Sequence, residues 1–357
     1  MKCENIPSKV SNKKKYLKHI HFFRGFAIIN IAFVHLAFIR DKSILGIHHS
    51  DYVAFMEVIF HGATIYFLFI SGFLFHYLSD GFNMKKYYYS KIKFVFIPYV
   101  IISSLVVIVN HFYDIENLGY VDFFKTWLIS IVFGTAQIQY WYIPFIMLVY
   151  LVSPYILLIP NKVFKYLAPL IFILPLLGTR TGAQVSVWQF LYFGPVYLLG
   201  IYTSMDYNKV LEVINKLKYL FVVVAIVSTL FLILQYKLNV IDRYGIFSIQ
   251  EGLFYIQKIS ITVLVLLAFR NFENSRLYLF DELAKLSFGI YFTHLFINYF
   301  FYNFKIYLVE FLISENYSPL IIPVVLLYAT MLLFINVWIL KLSKKILGQK
   351  SRMILGV

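Results

Sequence analysis

Residues 22–39 read FFRGFAIINIAFVHLAFI, a run long enough to cross a bilayer that still carries Arg24, Asn30 and His35. A membrane span needs about 20 mostly apolar residues, and this segment has that length and character. Ionisable groups at such depth are costly and usually face a bundle interior or a wet cavity. Arg24 and His35 are eleven positions apart. At about 100° per residue they fall within about 20° of one another on a helix, and about 16 Å apart along its axis. Asn30 lies about 120° away from His35 and reads as an interhelical hydrogen-bonding residue. The stretch therefore predicts a helix with one polar stripe.

The rest of the chain agrees with a membrane setting. Of 357 residues 61% are hydrophobic and 14% charged, with 38 Phe and 30 Tyr. Soluble domains run near ~45–50% apolar and ~25% charged, so the composition predicts an all-α integral membrane protein. About ten candidate spans follow one another: 22–39, 53–78, 92–110, 140–159, 163–178, 187–204, 219–235, 252–269, 284–303 and 319–341. Residues 121–135 are apolar but short, and read as an interfacial helix. No segment is long and polar enough for a soluble domain, so 1–357 reads as a single membrane domain.

The formal charge of +15 is distributed as topology signals rather than as a nucleic-acid surface. With a cytosolic N-terminus, the inside segments collect 23 Lys and Arg and the outside segments 7, Lys305 among the latter. That bias predicts both termini in the cytosol of a multi-pass membrane protein, and a plasma membrane is the expected location. Residues 1–20 read as a basic cytosolic tail containing Cys3, the sole cysteine, so an internal disulfide or a cysteine-built zinc site is excluded.

Other spans also carry polar groups. The second holds His61, Ser71 and Gly72, and Gly72 suits close backbone approach. In the ninth, Ser287, Tyr291 and His294 recur at spacings of four and three, forming one helical stripe. Lys258 falls within the eighth span, either buried or snorkelling. Trp141 and Tyr142 read as aromatic-belt residues at a membrane boundary. His48 and His49 are adjacent and cannot ligate a metal by helical spacing; no HExxH run, Walker loop, nucleophile elbow or dinucleotide fingerprint occurs, and no metal is expected.

Arg24, ten intervening residues and His35 resemble the signature of acyltransferase family 3, integral-membrane enzymes that modify cell-surface glycans and lipids. Four further stretches resemble the family in order: FLFISGFLF (68–76), KFVFIPYV (93–100), YWYIPFIMLVYLVSPYI (140–156) and LSFGIYFTHLF (286–296). The resemblance covers almost the whole chain and implies the same ten-span plan. In two places the chain departs from many relatives. His21 stands where they carry Asp, and Lys91 and Phe94 stand where they carry paired arginines.

The resemblance implies an O-acyltransferase, an O-acetyltransferase in particular, of the kind that modifies bacterial capsules and exopolysaccharides. Acetyl-CoA would be a co-substrate, with no bound cofactor, and the acceptor a hydroxyl of a surface polysaccharide or lipid-linked glycan. Glycan-synthesis proteins would be its partners. His35, Arg24 and His294 are the implied catalytic residues. Arg24, Lys91, Lys93, Ser71 and Gly72 would hold the acyl donor, the lysines replacing guanidinium forks with point charges. His61, Tyr66 and Tyr291 are candidate acceptor-side or relay groups. The alternative is an exporter of the same polysaccharide, since polar groups in a bundle serve conduction as well.

Overall fold

A helix that crosses lipid must satisfy its own backbone, because no water is there to do so. The computed structural model is accordingly 85% helical. It describes residues 15–39, 42–46, 49–111, 115–179, 185–238, 243–244 and 247–357. Most of the basic tail, Cys3 and His48 lie outside the described residues.

The opening stretch forms α1 (Lys18–Leu36). A short α2 (Lys42–Leu45) precedes α3 (His49–Phe60) and α4 (Thr64–Tyr77), which together make one interrupted span. The next span runs from α5 (Met84–Lys91), through a π-helical turn at Ile92–Phe96, into α6 (Ile97–Asn110). Asn83 starts it by accepting the Lys86 backbone N–H, and Pro98, which has no N–H to donate to the turn before it, follows closely on the π-helical turn. α7 (Ile115–Phe133) is broken at Gly119 and leaves Tyr120, Val121 and Phe124 exposed; it contains most of the segment read as interfacial.

α8 (Tyr142–Ile156), α9 (Asn161–Ile173) and α10 (Val187–Met205) follow. Ser186 and Gln189 close a capping box at the start of α10. α11 (Tyr207–Lys216) and α12 (Lys218–Leu238) lead to an antiparallel pair of two-residue strands, β1 (Arg243–Tyr244) and β2 (Phe247–Ser248). The chain ends with α13 (Ile249–Asn271), α14 (Tyr278–Ser314), α15 (Ile321–Leu347) and α16 (Ser351–Ile354).

Among the described residues, six stretches are long and apolar enough to cross a membrane: Lys18–Leu36, Asp51–Tyr77, Met84–Asn110, Lys218–Leu238, Ile249–Asn271 and Ser318–Ile354. The four other expected spans fall on α8, α9, α10 and α14. Of these, α8 and α9 have only 15 and 13 residues, and α14 has 37. α12 exposes Leu220, Val223, Ile226, Leu230 and Leu234, a face that water would not tolerate and acyl chains would.

The most extensive helix pairs are α1 with α14 and α4 with α10. A Cβ on Gly72 would fall 1.9 Å from the Tyr197 carbonyl oxygen, and one on Gly200 would fall 2.1 Å from that of Phe69. Glycine at both places lets α4 and α10 approach backbone to backbone. α1 and α14 run parallel, because His21 meets Asp281, Arg24 meets Ala284 and His35 meets His294 in rising order along both helices.

Candidate active site

The α1–α14 seam carries polar groups at both ends. At the start of α1, His19 is buried, with Nδ1 on the Glu273 carboxylate and Nε2 facing the Tyr207 hydroxyl. The backbone N–H groups of Lys18 and His19 donate to the same carboxylate at 3.2 and 2.9 Å. Burial works to raise the Glu273 pKa, but these bonds from His19 and Lys18 outweigh it and hold the carboxyl below its ordinary value. His21 Nε2 lies 3.0 Å from Asp281, which Lys285 also approaches at 2.6 Å.

One turn further on, Arg24 Nε donates to the Ala284 carbonyl at 3.0 Å, Nη2 donates to the same oxygen, and the Ser287 hydroxyl donates to it at 2.9 Å. Among the described residues Arg24 has no carboxylate partner. Its charge is held by a carbonyl dipole, which leaves it able to attract an anion.

At the other end, His35 occupies the last turn of α1, and its ring centroid is 5.3 Å from that of His294. His294 is fully buried, and its Nδ1 lies 2.8 Å from the Ile290 carbonyl. A carbonyl can only accept, so Nδ1 carries the proton and Nε2 presents a lone pair. Nε2 has no hydrogen-bond partner among the described residues. α1 stops while still inside the bundle, and the buried Lys305 ammonium donates to the open carbonyls of Leu36 and Phe38, at 3.1 Å each. Charge counting puts Lys305 in an outer segment. α14 continues past 303, the expected end of the span, and buries this lysine in the bundle.

His35 forms part of the wall of a cavity of about 460 Å³. Tyr291, His61, Glu57, Gln139, Trp141 and Tyr142 also line it, with Phe254, Gln250 and Glu251. The Tyr291 hydroxyl donates to the Gln139 carbonyl, tying α14 to the loop before α8. Trp141 and Tyr142, read as aromatic-belt residues at a membrane boundary, line this cavity. His61 Nδ1 is 2.6 Å from Glu57 Oε2, one helical turn away.

An arginine and a histidine pair on one helix seam, with a polar cavity at the histidine end, suit transfer of a group from an anionic carrier. The family model described as an acyltransferase domain matches residues 17–341. The chain belongs to the acyltransferase 3 family. No curated protein and no solved structure matches it. Family and membrane-spanning helices together make it a membrane acyltransferase.

The acyltransferase brings some expected site residues together and separates others. Arg24 and His35 share the α14 face of α1, while His35, His61 and Tyr291 share the cavity. Tyr66 is buried against the rings of Phe23 and Phe26, at 5.8 and 5.5 Å, and does not line the cavity. Ser71 interacts with the Tyr142 hydroxyl, while Gly72 is committed to packing against α10. Lys91 lies over the ring of Tyr150 at 4.0 Å, and Lys93 donates to the Tyr89 hydroxyl at 3.3 Å. Phe94, which stands where relatives carry an arginine, is covered by the Arg352 guanidinium at 4.1 Å, brought there by α16 folding back.

Asn30 donates to the Phe26 carbonyl of its own helix at 2.9 Å, so it is an intrahelical bonder and not the expected interhelical one. Among the described residues no group of three His, Cys, Asp or Glu side chains could hold a metal. Glu57 is a cavity residue that the sequence reading misses. Its signal is a carboxylate four positions before a histidine on one helix.

Proposed function

We propose that this acyltransferase moves an acetyl group from acetyl-CoA to a hydroxyl of a cell-surface polysaccharide or lipid-linked glycan. The observation that carries the reading is His35, which lies at the wall of the cavity and against the His294 ring, with Arg24 on the same helix face. The excess of lysine in one set of connecting segments supports a cytosolic N-terminus. Arg24 then lies on the cytosolic side, and the cavity lies toward the outside. The protein is proposed to reside in a bacterial plasma membrane.

In this reading the donor enters from the cytosol, and Arg24 binds its phosphates as a charge-assisted partner. The Arg24–His35 rise of about 16 Å suits the reach of a pantetheine arm and brings the thioester to the histidines. His35 accepts the proton of the acceptor hydroxyl as that oxygen attacks the thioester carbonyl. The C–S bond breaks as the ester forms, and the coenzyme leaves as a thiol carrying the proton that His35 releases. The lone pair on His294 Nε2 offers the imidazole of His35 an acceptor that orients it and steadies its protonated form.

The test is acetyl-CoA turnover by purified protein in nanodiscs, with surface glycan from a deletion strain as acceptor. Glycan-dependent release of coenzyme A supports the reading. Normal glycan acetylation in the deletion strain, with failed surface delivery, would favour a polysaccharide exporter.

A further inference from the structure

The second span stops and restarts inside the protein, and the break is built around a charged side chain. α3 ends at Phe60, α4 begins at Thr64, and Gly62 between them takes a left-handed φ of 78°. Lys258, fully buried on α13, donates to the carbonyls of Val58 and Ile59 at 3.2 and 2.8 Å, the acceptors that a broken helix leaves open. Lys258 therefore does not snorkel. A continuous apolar helix would need neither the break nor the buried ammonium.

The break presents His61 to the cavity. His61 Nδ1 is engaged by Glu57 at 2.6 Å, and its Nε2 is the ring nitrogen left for another partner. Helical His–Glu pairs at this spacing are common on wet surfaces and contribute little there. This pair differs, because both residues line the same cavity as His35 and their side chains are only 27% and 18% exposed. The cavity wall also mixes aromatic faces, Trp141 and Phe254, with planar polar groups such as Gln139 and Gln250. Such a lining suits a polyhydroxyl compound, whose C–H faces stack while its hydroxyls are bonded at the edges.

We infer that the Glu57–His61 pair is the acceptor-binding element of this cavity, holding a polyhydroxyl acceptor so that one hydroxyl faces His35. His61 Nε2 bonds a neighbouring hydroxyl, Glu57 fixes the imidazole, and Lys258 with Gly62 holds both in place. His61 is thus an acceptor-binding residue and Glu57 a positioning residue, and together they decide which hydroxyl is acylated. The inference rests on the acyltransferase reading proposed above and adds the residues that recognise the acceptor.

The test uses the full chain in nanodiscs with acetyl-CoA and unesterified surface glycan from a deletion strain, comparing wild type, Glu57→Gln and His61→Gln. The expected result is an acceptor KM raised about tenfold or more, the scale of a lost charge-assisted bond, with the acetyl-CoA KM within about twofold of wild type. In the complemented strain, ester groups move to other hydroxyls or spread among several, read by proton NMR of the glycan. Glu57→Asp, which keeps the carboxylate, restores part of the acceptor affinity. Unchanged acceptor KM and ester position in both variants overturn the inference and leave the acyltransferase reading standing. Equal rises in both KM values also overturn it, as would be expected of a merely structural pair. Absence of acetyl-CoA turnover in wild type overturns the underlying reading and this inference with it.

Discussion

His35 and His294 meet ring to ring with centroids 5.3 Å apart, on two parallel helices from opposite ends of the chain. The Ile290 carbonyl fixes the proton of His294 on Nδ1 and turns Nε2 into the free lone pair of the pair. That arrangement leads directly to a mutational expectation. His294→Ala removes the acceptor beside His35 and lowers acetyl-CoA turnover about 10²-fold or more, the lower range for positioned acid–base groups. Steady-state kinetics in nanodiscs would show the loss in kcat, with the acetyl-CoA KM little changed. A kcat equal to wild type would remove His294 from the mechanism.

Two buried lysines close the two helix ends that carry the cavity histidines. Lys305 does so for α1 and Lys258 for α3. Lys258→Met and Lys305→Met keep much of the side-chain volume but leave carbonyls without a donor. Each is expected to cost about 1–3 kcal/mol. Thermal unfolding in detergent measures it as a lowered midpoint for both variants, and a midpoint unchanged in either would contradict the capping role.

The α4–α10 contact has no room for a side chain. Gly72→Ala would place a methyl 1.9 Å from the Tyr197 oxygen and force the helices apart. Overpacking of this kind costs about 1–3 kcal/mol. Thermal unfolding of Gly72→Ala checks this, with Gly194→Ala as a comparison at a position where an added Cβ meets nothing within 4 Å. Equal midpoints for the two variants would contradict the close approach.

Glu273 links stability to pH at the start of α1. Its carboxyl is held below the ordinary value in the folded protein, so its ionised form favours folding. The stabilisation is present above the unfolded carboxylate value and fades as pH falls through the lowered one. Glu273→Gln should therefore narrow the difference in unfolding temperature between neutral and acid pH. An unchanged difference would show that the His19–Glu273 contact does not couple folding to protonation.

Much of α1 is legible in the amino-acid sequence alone. The eleven-residue spacing places Arg24 and His35 on one face, and both do meet α14. Spacing puts His294 on a stripe with Ser287 and Tyr291 and the family resemblance implies a role for it, but its meeting with His35 is not legible, because helix–helix register depends on packing between distant segments. For a related reason hydropathy ends the span at 303, whereas α14 runs on to Ser314 and carries Lys305 on the helix. The buried ends of α1 and α3 leave no hydropathy signal, since the flanking residues stay apolar. Glu57 is readable in principle from its spacing to His61, but only the cavity makes that spacing meaningful.

The proposed role of His35 is that of general base in acyl transfer. It is tested most directly by glycan-dependent release of coenzyme A from acetyl-CoA, comparing wild type with His35→Ala at matched folding in nanodiscs. The expected result is a fall of about 10²–10⁴-fold in kcat for the variant. Turnover equal to wild type would contradict it.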